Sequence, residues 1–286
     1  LCSASLLVTD LGLPEQILAI TFTNKAAAEM LERVISLVGE QAWKMWVSTF
    51  HSACVRILRR YADAAGLKSS FTIYDQADAT RLVSMILKEA QLDPKRFPAK
   101  KIQGRISDLK NSLIDPDTYV SSAGLGADAE VVAKVYPIYQ RRLKAANALD
   151  FDDLIMRTVQ LFQTNSLVQA SFCHRFRHVL VDEYQDTNHA QYILVKLLAG
   201  VSGAAVDNAV QDVNSASAIG QVTPAELTVV GDSDQSIYAF RGATVRNIEE
   251  FEKDFPGATT VYLEQNYRSS GNILAAENAV ISHNKT

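Results

Sequence analysis

Residues 179–188 read VLVDEYQDTN, and their reading decides the fold. Three aliphatic residues in a row, Val179, Leu180 and Val181, suit a short strand covered on both faces, as in a parallel sheet. The run stops abruptly at Asp182 and Glu183, which places two acids at the strand's carboxyl end. Open α/β sheets bind ligands at that end, and neighbouring carboxylates there suit two tasks. One holds a magnesium ion on a nucleotide; the other handles the proton of an attacking water. A strand that simply ends in two solvated acids is an equally good reading of this stretch alone.

Four further segments repeat the design of an apolar run that stops at polar or aromatic residues. They are ILAITFTNK (17–25), WVSTFHS (46–52), LTVVGDSDQS (227–236) and TVYLEQNYRS (260–269). Five strands with polar tips predict one sheet with one working edge. After the first of them, Ala26, Ala27, Met30, Leu31, Val34, Ile35 and Val38 mark one face of a helix, with Thr23 and Asn24 as natural caps. A helix start just past a strand tip presents free N–H groups to a phosphate, and serves equally well as an ordinary βα turn. The second strand leads into a helix whose Arg56, Arg59 and Arg60 read as a solvated face.

Between residues 74 and 148 the pattern changes to helices only, at 78–90, 98–113 and 129–146, which reads as a helical insertion in an α/β domain. Within it Lys95, Arg96, Lys100, Lys101, Arg105 and Lys110 face a single acid, Asp108. Such a cluster fits a phosphate contact or a plain solvated surface. LDFDDL (149–154) caps a helix running to about residue 162 and returns the chain to the sheet. Residues 190–198 read as a helix, 200–224 as a flexible surface insert, and 245–255 as a helix stopped by Pro256 and Gly257.

At 286 residues the chain is long enough for a sizeable core. A net charge of −4 and a pI near 5.8 exclude a global basic field, so nucleic-acid contacts would have to be local. Cys2, Cys54 and Cys173 are scattered without metal-ligand spacing, which predicts a reduced, cytoplasmic protein. No apolar run approaches the roughly 18 residues of a membrane span, so no membrane partner is expected.

Taken together and in order, ITFTNKAA, STFHS, LDFDDL, VDEYQDTN, VVGDSDQSIYAFRGA and LEQNYRSS resemble the superfamily 1 DNA helicases of the UvrD, Rep and PcrA kind. The resemblance covers nearly the whole chain apart from residues 200–224. It implies a RecA-like parallel sheet with helices on both faces, of the P-loop NTPase type, plus an inserted all-helical subdomain. The implied layout is a first motor domain at 1–74 and 149–264, the helical insertion at 75–148, and the start of a second motor domain at 265–286. The implied activity is ATP-dependent, Mg²⁺-requiring 3′ to 5′ movement on single-stranded and forked DNA, in repair or replication restart with accessory proteins.

Residue by residue, Asp182 resembles the Mg²⁺ ligand, Glu183 the base that activates water, and Gln235 the residue that senses the γ-phosphate. Arg268 resembles the arginine that stabilises the transferring phosphoryl group, and Tyr267 the aromatic that stacks on adenine. On the DNA side Phe22, Tyr238 and Phe240 match positions where rings lie against bases, with Thr23, Asn24, His51 and Arg241 along the backbone track. A flat ring stacks on any base for about 1–3 kcal/mol, as a translocating motor requires. The resemblance also implies a glycine-rich phosphate loop ahead of Leu1. Its absence from these residues, and the lack of a starting Met, lead to the expectation of a truncated sequence with feeble ATP hydrolysis and no unwinding. The same motifs fit the helicase part of a RecB- or AddA-like helicase-nuclease, or a non-catalytic single-strand-binding module.

Overall fold

The computed structural model describes residues 12–122, 124, 126–200, 224–236, 251–263, 265–266 and 269–282. Its centre is a four-stranded parallel sheet of β1 (Ile17–Thr21), β2 (Trp46–Thr49), β5 (His178–Val181) and β6 (Glu226–Val229), in the order β2-β1-β5-β6. Alternate residues serve opposite faces. Leu18 and Ile20 of β1, Val179 and Val181 of β5 and Trp46 of β2 enter one core, while Ile17, Val47 and Leu180 enter the other. Both faces are covered, so both must be apolar.

The larger core is closed by α2 (Phe50–Arg60), α7 (Phe151–Thr164), α8 (Ser166–Arg175) and α9 (His189–Ala199), and the smaller by α1 (Asn24–Val38). Cys54 and Cys173 are free and buried, and burial pushes the Cys54 thiol up to about 12. The arginines of α2 lie over aromatic rings: Arg56 is 4.3 Å from the Trp46 centroid, Arg59 5.6 Å from Phe71 and Arg60 5.6 Å from Tyr61. The polar faces of these guanidinium groups remain toward water, as expected of a solvated face.

The predicted helical insertion is present as α3 (Gln76–Glu89), α4 (Ala99–Asn111), α5 (Pro116–Ser122) and α6 (Ala127–Ala145). It has its own core, built on Val83, Ile86, Ile102, Ile106, Val135 and Tyr139. A second, two-stranded parallel sheet closes its base, pairing β3 (Thr72–Tyr74) with β4 (Ala148–Asp150). Three-residue strands carry too little pattern to be read from sequence. Residues 260–263 correct another expectation. They form no strand, and Val261, Tyr262 and Leu263 are 73%, 80% and 85% exposed. The segment has strand composition but sits outside the four-stranded sheet, and composition alone does not make a strand without a neighbour. Most of 200–224 and of 245–255 lies outside the described residues, apart from α10 (Phe251–Asp254); α11 (Gly271–Ile281) ends the described chain.

Lys110 is the main correction to the basic cluster. It is fully buried, with its ammonium 2.7 Å from Asp150 Oδ2 and 2.9 Å from Asp153 Oδ1. Tyr139 Oη also donates to Asp150 Oδ2 at 2.7 Å, and the Gln140 amide donates to Asp153 Oδ1 at 2.7 Å. Burial alone would push the lysine down, but the two carboxylates overcome that and hold it charged. Of the other cluster members, Lys101 pairs with Asp128, while Lys95, Arg96, Lys100 and Arg105 are exposed. Asp150 is the N-cap of α7 and shares a capping box with Asp153, so LDFDDL caps this helix and binds the buried lysine at once.

Removing one partner of a buried ion cluster leaves uncompensated charge. Lys110→Ala is therefore expected to destabilise the chain by about 3–5 kcal/mol in urea denaturation. The neighbouring Asp152 behaves oppositely. Burial, and then the nearby Asp150 carboxylate, push it up to about 6, above the ordinary carboxylate value. The folded chain thus binds a proton there more tightly than the unfolded one, and this contribution to stability is present in acid and lost as pH rises through about 6. Asp152→Asn should remove that loss, gaining stability relative to the native chain between about pH 4 and 7 in paired denaturation curves.

Candidate active site

Of the five expected strand tips, those of β1, β5 and β6 are joined by backbone hydrogen bonds, while residues 260–263 form no strand. The Asp182 N–H donates to the Ile20 carbonyl at 2.9 Å, the Val230 N–H to Val181 at 2.8 Å and the Tyr184 N–H to Val230 at 2.9 Å. The ends of β1, β5 and β6 therefore share one rim. Asp182 is half-buried at this rim, and burial, followed by the adjacent Glu183 charge, pushes its carboxyl upward. A bound cation would offset that cost.

Glu183 is exposed and adopts a left-handed conformation, φ 52° and ψ 43°, a region costly for a residue with a Cβ. It begins a 3₁₀ turn, Tyr184–Asp186, whose Tyr184 ring is fully buried and packs edge-on against Phe251 at 5.7 Å. The turn aims Glu183 outward while its neighbours anchor it from below.

A continuous chain of hydrogen bonds joins Glu183 to Gln235. Gln185 Nε2 donates to Glu183 Oε2 at 2.7 Å, and Gln185 Oε1 accepts the Asp232 N–H at 3.1 Å. Asp232 Oδ2 in turn accepts from Gln235 Nε2 at 2.7 Å, and its Oδ1 from the Asp234 N–H at 3.0 Å. Sequence reasoning singled out the two ends of this chain and missed Gln185 and Asp232. The only signal was position, since each follows a strand tip by a few residues.

On the other side of the rim, Thr23 caps α1, accepting the Ala26 N–H at 3.1 Å, and Asn24 is the exposed first residue of that helix. Phe22 is half-buried against the larger core, edge-on to Phe50 at 5.7 Å between centroids. His51 is half-buried in edge contact with Phe151 at 5.6 Å, and burial pushes its imidazole down, toward the neutral form. Phe151 was not foreseen, and it is 50% exposed beside His51. Tyr238, Phe240, Arg241, Tyr267 and Arg268 lie outside the described residues.

Past the acids, Asn188 caps α9 and its amide donates to Asn111 Oδ1 at 2.9 Å; Asn111 Nδ2 reaches Asp152 Oδ1 at 3.3 Å. The acid-bearing segment is thereby bonded to the helical insertion. A pocket of 630 Å³ lies elsewhere, between α6 and α7, lined by residues that include Tyr136, Gln140, Arg141 and Arg157. It holds neither of the strand-tip acids.

No group of three or more His, Cys, Asp or Glu suited to a metal is present among the described residues. One half-buried carboxylate at a strand tip nevertheless fits Mg²⁺ carried in on a phosphate, since that ion keeps waters and phosphate oxygens and takes only one or two protein carboxylates.

Comparison with known proteins follows the same line. A family model described as the UvrD/REP helicase N-terminal domain matches residues 3–256. The chain is 57% identical over 274 residues to the ATP-dependent DNA helicase UvrD1 of Mycobacterium tuberculosis, covering 94% of this chain and 33% of that protein. It is 55% identical over 273 residues to UvrD1 of Mycobacterium leprae, with 94% and 34% covered. It is 49% identical over 271 residues to the ATP-dependent DNA helicase PcrA of Staphylococcus aureus, with 95% and 34% covered. The chain thus spans about a third of the length of the curated relatives it matches.

The strained backbone at Glu183 yields a stability prediction of its own. Glu183→Gly relieves the left-handed φ and should raise the melting temperature, a gain of up to about 1 kcal/mol, against the loss of one part-buried hydrogen bond. Thermal unfolding of the two chains side by side checks it; an unchanged or lower midpoint would mean that the Gln185 contact outweighs the strain.

Proposed function

The chain belongs to the UvrD/REP helicase N-terminal domain family, and on that premise we propose that it is the first motor domain, with its helical insertion, of an ATP-dependent DNA helicase. It moves 3′ to 5′ on single-stranded DNA and opens forked DNA, serving repair or replication restart in the cytoplasm with accessory proteins. Residues 1–74 and 149–264 form the motor, 75–148 the insertion and 265–286 the entry to a second motor domain. The separate apolar core of the insertion supports that division.

The observation that carries the reading is the shared rim: an acid pair at the end of β5, a glutamine bonded to it through two intermediates, and a ring and helix start beside them. Asp182 would hold the Mg²⁺ of a bound nucleotide, and that ion would supply neutralisation of phosphate charge. Glu183 stands outside the core, its carboxylate held by Gln185 and exposed to take a proton from water. Gln235 faces the terminal phosphate from the end of β6, while Tyr267 stacks on the adenine and Arg268 steadies phosphoryl charge. Phe22, Tyr238 and Phe240 stack on successive bases, and Thr23, Asn24, His51 and Arg241 follow the backbone. A neutral His51 suits that track as a hydrogen-bonding contact without adding to the salt dependence that charged phosphate contacts bring.

Expression from the complete gene, with Glu183→Gln, tests the reading. Loss of a positioned general base should lower single-strand-stimulated ATP hydrolysis by about 10²–10⁴-fold while leaving affinity for an oligodeoxythymidine within about twofold of native. Native turnover in this variant would remove Glu183 as the base.

A further inference from the structure

We infer that Gln185 is a positioning residue: its side-chain amide ties the Glu183 carboxylate to the turn that carries Asp232 and Gln235. A ligand phosphate against Gln235 is then felt at Glu183. The inference rests on the reading of Glu183 as the base and Gln235 as the phosphate contact, and it adds the link between them.

The geometry leaves the amide little freedom. Gln185 is 1% exposed and both ends of its amide are used. The Glu183 carboxylate only accepts, and the Asp232 N–H only donates, so the amide must turn its nitrogen to the first and its oxygen to the second. No other side chain of that length offers a donor and an acceptor on one planar head. A glutamate would lose the donor and face a like charge, and a methionine would fill the space and bond neither.

Glu183 itself has few other restraints. Its side chain projects from an exposed, left-handed residue, and among the described residues it is the Gln185 contact that fixes its carboxylate. Asp232 adds the second half of the link. Its backbone is held by Gln185 while its carboxylate holds Gln235, so a shift of Gln235 moves the peptide to which Gln185 is bonded. Gln185 and Asp232 lie 47 positions apart in sequence, and their two side chains complete the connection in space.

The test is a double-mutant cycle in the protein expressed from its complete gene, with Mg-ATP and oligodeoxythymidine as ligands. Gln185→Met should lower kcat about tenfold or more, with the KM for ATP within about threefold of native. In a Glu183→Gln background the same substitution should cost nothing further, because a residue that acts through Glu183 has nothing left to position. Asp232→Ala, at an exposed residue where folding is not at stake, should show the same loss in kcat and the same lack of additivity. Both singles with native kcat, or losses that multiply in the Glu183→Gln background, would overturn the link while leaving the base in place. Native turnover in Glu183→Gln would instead overturn the reading beneath it.

Discussion

Everything at the rim depends on the register of three parallel strands. With Asp182 bonded to the carbonyl of Ile20 and Val230 bonded to Val181, the ends of β1, β5 and β6 are level. A shift of one residue in β5 would exchange the faces of Val179, Leu180 and Val181 and carry Asp182 into an apolar core. Hydrophobic burial on both faces thus sets the position of the acids, and the polar chemistry inherits its geometry from apolar packing.

The same economy governs the polar interior. Lys110, Asp150, Asp153 and Tyr139 form a closed, buried cluster in which each charged group has a partner. Asn111 and Asn188 extend it to the segment that follows the acids. Buried ions of this kind add little net stability over an apolar replacement, but they are costly to disrupt singly and they fix one arrangement of neighbours. Here the arrangement fixed is that of the insertion on the core of the four-stranded sheet.

Much of this was legible in the amino-acid order, for identifiable reasons. The four strands of the main sheet announce themselves because a strand covered on both faces must be apolar throughout, and their tips because polar residues follow at once. Helices of ten residues or more carry enough period to be found. What could not be read depends on partners distant in sequence. Lys110 sits in a run of basic residues and looks solvated; only the fold brings Asp150 and Asp153 to it. Gln185 looks like one more polar residue beyond a strand, because Asp232, which defines its task, is 47 positions away. Residues 260–263 mislead in the other direction, since a Val-Tyr-Leu run has the composition of a strand and lies outside the sheet.

The charge sandwich at Lys110 has a mechanical corollary. Only two chain crossings, at β3 and β4, lead into the insertion, an attachment that would ordinarily behave like a door on a hinge. Any swing about that attachment would pull the ammonium away from at least one carboxylate in a place water does not reach. The two bodies should therefore travel as one rigid unit.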